Sequence, residues 1–98
     1  MLNFDAITGF EWDAGNARKN ADRHGVSQAE AEQVFVNQPL LLLDDARHSQ
    51  TETRWHALGK SSQGRLLHLT FTLRGSLIRV ISARDQHKKE RVHYAKKS

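Results

Sequence analysis

Residues 54–85 read RWHALGKSSQGRLLHLTFTLRGSLIRVISARD, and the glycines that punctuate this stretch predict three antiparallel strands. Gly75-Ser76 suits a two-residue type II′ hairpin, which places glycine first. Ser62-Gln63-Gly64 suits a three-residue turn with its glycine in the left-handed conformation. Strands are therefore expected over 54–61, 65–74 and 77–84, a β-meander. The second hairpin sets Arg74 opposite Leu77 and Leu73 opposite Ile78. Side chains alternate along a strand, so Leu67, Leu69, Phe71 and Leu73 share a core face with Ile78 and Val80. With Ser61 opposite Arg65, Trp55 and Ala57 join that face. The other face carries Arg54, His56, Leu58, His68, Thr70, Thr72, Arg74 and Arg79. Arg54, Thr72 and Arg79 then form one row across three strands, with His56 opposite Thr70 in the next row.

That row suggests chemistry. Two guanidiniums about 10 Å apart, at a strand spacing of roughly 4.8 Å, suit a phosphate held between them. Two histidines on the same face suit proton transfer near neutral pH. RNA cleavage without a metal needs a base for the 2′-hydroxyl, cations for the crowded phosphate and an acid for the leaving oxygen. Arg54, His56, His68 and Arg79 are read as catalytic. Arg65, Arg74, Arg84, Lys88, Lys89 and Arg91 are read as RNA-binding. The competing reading is an ordinary solvated sheet face, and a one-residue slip at Gly64 moves Arg54 and His56 off this surface.

Working outward, residues 9–13 read as a short first strand and 15–24 as a helix ended by Gly25. Ser27 and Glu30 form a capping box at the start of a second helix, with Val26 and Ala31 placed for a hydrophobic staple. Pro39 stops that helix, residues 40–43 read as a strand and 44–51 as a loop. Asp85 reads as the cap of a last helix reaching Tyr94. The expectation is a single α+β domain over 1–98, an antiparallel meander packed with two N-terminal helices and one C-terminal helix. At 98 residues there is no room for a second domain.

Composition narrows the function. Cysteine is absent, which excludes thiol catalysis, disulfide frameworks and cysteine-bound zinc. The six histidines show no HxxxH or HExxH spacing, so neither metal nor cofactor is expected. No apolar run approaches a membrane span, and residues 1–5 lack the basic and apolar regions of a signal peptide; a cytoplasmic protein is expected. Residues 1–49 hold four basic side chains against eight acidic, while 50–98 hold eleven against three. So lopsided a charge suits a polyanion on one face, most simply nucleic acid. No helix-turn-helix pattern accompanies it.

Several stretches resemble the BrnT family, toxins of bacterial type II toxin–antitoxin systems. They are Phe10-Glu11-Trp12-Asp13, Arg23-His24-Gly25-Val26-Ser27, Glu30-Ala31 with Val34-Phe35, and His48-Ser49 with Glu52 and Arg54. The pattern continues through Gly59, Gly64-Arg65-Leu66-Leu67, Thr72, Arg74-Gly75, Ile81-Ser82-Ala83-Arg84, Glu90-Arg91 and Tyr94. Nearly the whole chain is covered, in order, although the family usually carries lysine at Asn16 and at Arg23. The resemblance implies a RelE-like α+β fold and a ribonuclease that arrests translation; joined to the metal-free chemistry read from the sheet face, the expectation is a metal-independent endoribonuclease. It implies a BrnA-type antitoxin as partner, with operator DNA bound only through that antitoxin. His48, Glu52, Arg54, Arg65, Arg84 and Arg91 correspond to family motif positions. The alternative is a non-catalytic RNA- or antitoxin-binding module of the same fold.

Overall fold

A computed structural model of the chain describes residues 4–16, 24–45, 47 and 52–97. After a 3-10 turn at Phe4–Ala6 come β1 (Gly9–Phe10), α1 (Gln28–Val36), β2 (Leu41–Asp44), β3 (Arg54–Lys60), β4 (Leu66–Arg74), β5 (Leu77–Asp85) and α2 (Lys88–Lys97). Residues 14–16 and His24 are helical, at the two ends of the expected first helix. Residues 17–23 of that helix, and most of the expected 44–51 loop with His48, lie outside the described residues.

The strands form one sheet in the order β1-β5-β4-β3-β2. The meander has the expected register: Arg74 opposite Leu77, Leu73 opposite Ile78, Arg54 opposite Thr72 and Thr72 opposite Arg79. Its two turns form for the reasons the sequence suggests. Gly75 has φ 61° with no positive φ at Ser76, as type II′ requires, and Gly64 has φ 87°. The sheet is longer than the meander, because β2 adds an antiparallel strand beside β3 and β1 a parallel one beside β5. It is a mixed sheet.

α1 begins as expected. Ser27 Oγ accepts from the Glu30 backbone N–H, and the Glu30 carboxylate accepts from that of Ser27. Val26 and Ala31 are both buried in the core cluster, beside Val34, Ala57, Leu67, Leu69, Phe71, Ile78, Val80 and Ala83. Phe71 anchors this layer, with Phe35 edge-on at 5.0 Å and Trp55 stacked at 5.7 Å between ring centroids. A fully buried side chain of this kind contributes about 1.5–3 kcal/mol. Gly59 lets α1 approach β3 closely: a Cβ there would stand 2.7 Å from Val34 Cγ1.

Three local expectations change. Asp85 does not cap the last helix; it ends β5 and binds Arg65, while α2 starts at Lys88 and continues past Tyr94. Leu58 lies on the face opposite α1 by register but is buried, since α2 packs against β3 and its Tyr94 hydroxyl donates to the Pro39 carbonyl. β1 stops at Phe10, because residues 11–13 leave the sheet edge and carry Glu11 and Asp13 towards Arg79. Among the described residues, no helix is long and apolar enough to cross a membrane.

Candidate functional site

The face opposite α1 divides into two polar regions. In the first, the strand register aligns Arg54 on β3 and Arg79 on β5 either side of Thr72, with Arg74 two residues beyond Thr72 on β4. All three arginines line a groove of about 460 Å³, together with Asp13, Asn16 and Glu52. The row foreseen from alternation is therefore present, and Arg74, outside the row, lines the same groove.

Carboxylates thread between the guanidiniums. Glu52 lies 3.7 Å from Arg54 and 3.8 Å from Arg74; Glu11 lies 3.6 Å from Arg74 and 2.9 Å from Arg79; Asp13 lies 2.9 Å from Arg79. The result is an alternating chain of three cations and three anions. Arg79 is its best-fixed member, with 17% of its side chain exposed against 50% for Arg74. Burial opposes the Arg79 charge, but the bonds to Asp13 and Glu11 raise its pKa above the ordinary value. The backbone N–H of Asn16, then the Arg79 guanidinium, hold Asp13 below the usual carboxylate range. Asn16 is buried and pins this loop to the sheet, donating to the carbonyls of Glu11 and Val80. A phosphate entering the groove meets guanidiniums already oriented for anionic oxygen.

The second region surrounds the histidines. His56 Nε2 lies 3.2 Å from the buried Asp45 carboxylate, and its Nδ1 lies 3.0 Å from Thr70 Oγ1. Its ring centroid is 4.8 Å from that of His68. His68 is 8% exposed, and burial, reinforced by the Arg84 charge, pushes its pKa down to about 4. Glu90, 3.8 Å from His68 and bound at both oxygens by Arg84, is opposed by its own burial. Arg84 and the His87 N–H outweigh that and bring it down to about 2. A bulge brings Arg84 to this spot. Thr70 pairs with Ser82 but Phe71 with Val80, so the extra Ile81 returns Arg84 to the face of His68.

Against this geometry stands the comparison with known proteins. Residues 12–90 match the family model described as "Ribonuclease toxin, BrnT, of type II toxin-antitoxin system".

The chain belongs to the BrnT family.

The crystal structure of the Brucella abortus ribonuclease toxin BrnT, at 1.1 Å resolution, superimposes with a TM-score of 0.60 at 20% identity, covering 84% of this chain and 100% of that one. At that identity the likeness establishes the shared α+β fold. No curated protein matches the chain.

Within this BrnT-family fold the residues singled out from sequence separate into groups. Arg54, Arg74 and Arg79 meet in the groove. His56 and His68 are neighbours beside the groove, their ring centroids 4.8 Å apart. Protein groups occupy both ring nitrogens of His56, and a pKa near 4 leaves His68 neutral at pH 7. Arg65 stands apart as a clamp. It binds Asp85 and Glu30 and donates to the carbonyls of His24 and Gly25, and its bond to Asp85 is the main reason its pKa is raised. Arg84 is spoken for by Glu90. Lys88, Lys89 and Arg91 are exposed on α2. Sequence reasoning missed Glu11, Asp13, Asp45, Glu52 and Glu90 as partners of these side chains. The one local signal was Glu11 and Asp13 flanking Trp12, whose own Nε1–H donates to Glu32.

Proposed function

We propose that this chain is the toxin of a type II toxin–antitoxin system, an endoribonuclease that cleaves RNA without a metal ion and so arrests translation. The observation that carries the reading is that Arg54, Arg74 and Arg79, each on a different strand, share one groove. Three guanidiniums on neighbouring strands, turning from their carboxylates to the substrate, supply the positive charge that a crowded pentacoordinate phosphorus needs. Attack by the neighbouring 2′-hydroxyl leaves a 2′,3′-cyclic phosphate and a free 5′-hydroxyl. Exposed Lys88, Lys89 and Arg91 extend the phosphate track along α2. A BrnA-type antitoxin with an acidic segment fits the basic half of the chain, and operator DNA is reached through that antitoxin. An RNA target places the activity in the cytoplasm.

Arg79→Ala tests this reading. Arg54 and Arg74 remain to hold RNA, so affinity is expected to stay within about a few-fold while cleavage falls by about 10²-fold or more. Loss of affinity alone, with no cleavage by the wild type to lose either alone or with ribosomes, favours the non-catalytic binding module instead.

A further inference from the structure

The groove contains a second kind of group that phosphate binding does not need, its carboxylates, and they are not held equally. Asp13 accepts from Arg79 at 2.9 Å and from the Asn16 backbone at 3.0 Å. Glu11 accepts from Arg79 at 2.9 Å. Glu52 stands between Arg54 and Arg74 with one oxygen towards each, at 3.7 and 3.8 Å, ion-pair rather than hydrogen-bond lengths. It lines the groove itself and its side chain is a third exposed. When a phosphate engages Arg54 and Arg74, Glu52 is the carboxylate left between them without a tight bond to give up.

We infer that Glu52 is the general base of the cleavage reaction, the group that takes the proton of the attacking 2′-hydroxyl. The inference rests on the ribonuclease reading above and moves proton abstraction from His56 and His68 to a carboxylate in the groove. A Glu52 oxygen accepts the 2′-hydroxyl proton as the O2′–P bond forms. The P–O5′ bond breaks, and the departing O5′ takes a proton from water. The hydroxide left behind recovers the proton held by Glu52, so the carboxylate ends the turnover as it began. Arg54, Arg74 and Arg79 neutralise the phosphate throughout.

The test is Glu52→Gln, assayed by single-turnover cleavage of end-labelled RNA, with affinity read separately on a 2′-O-methyl RNA that cannot be cut. The general-base role predicts a rate about 10²–10³-fold lower, with affinity equal to or tighter than wild type because one like charge leaves the groove. It also predicts loss of the acidic limb of the pH–rate profile. The groups facing Glu52 are Arg54 from β3 and Arg74 from β4, with Glu11 and Asp13 beyond them around Arg79. The arginines stay charged throughout the assay, and both acids remain in the variant. Glu52→Asp, with its shorter carboxylate, is expected to cut slowly but keep the limb. A Glu52→Gln chain with wild-type melting that cuts within about threefold of wild type overturns the base role and leaves the ribonuclease reading standing. Parallel losses of affinity and rate also overturn it, in favour of a positioning role. A wild type that cuts no RNA, alone or with ribosomes, overturns both readings together.

Discussion

At His68 the cost of burying a charge outweighs the neighbouring Glu90 carboxylate, and the imidazole stays neutral until about pH 4. An unfolded chain protonates the same group near its ordinary 6.5, so its contribution to stability is present above pH 6.5 and fades as the pH falls towards 4. That shift corresponds to about 3 kcal/mol. Glu90, held at about 2 instead of 4.5, adds a further loss at still lower pH. Urea unfolding at pH 7 and pH 4 is expected to show the His68 loss in the wild type and to lose most of it in His68→Gln; a flat wild-type profile contradicts this burial. Gly59→Ala drives a Cβ into Val34 at 2.7 Å and is expected to cost about 1–3 kcal/mol, read as a lower urea midpoint. An unchanged midpoint means that α1 yields to the intruding methyl.

Single elements show what the sequence made legible and what it hid. The Ser27–Glu30 box was visible because a cap needs particular residues at fixed spacing. Ser27→Ala is expected to lower stability by about 1 kcal/mol in thermal unfolding, and no change would mean that Arg65, by holding Glu30, sets the helix start alone. The β3-β4-β5 register was visible for a similar reason, since Gly64 and Gly75 admit few turn geometries. Arg54, Thr72 and Arg79 followed from alternation once those turns were set. Nothing local announced the parallel pairing of β1 with β5, because the two strands are far apart in sequence and β1 is two residues long. That pairing delivers Glu11 and Asp13 to Arg79. The bulge at Ile81 was equally silent, although it decides that Arg84 binds Glu90 beside the histidines and that Ala83 enters the core. The arginines were therefore legible, and their partners were not.

For the molecule as a whole, an acidic first half and a basic second half fold into a groove where the two signs interleave. Phosphate must displace Glu11, Asp13 or Glu52 from the arginines, which favours ligands that present several charges at once. RNA affinity is expected to fall steeply between about 50 and 200 mM salt, and association with an acidic antitoxin segment to slow over the same range; salt-independent association contradicts that electrostatic account. The central claim is metal-free cleavage at the arginine groove. It is tested most directly by incubating the purified wild-type chain with end-labelled RNA in EDTA, with and without ribosomes, and identifying the new ends. The account predicts cleavage that leaves 2′,3′-cyclic phosphates and 5′-hydroxyls. Cleavage that appears only when a divalent metal is restored, or none under any of these conditions, contradicts it.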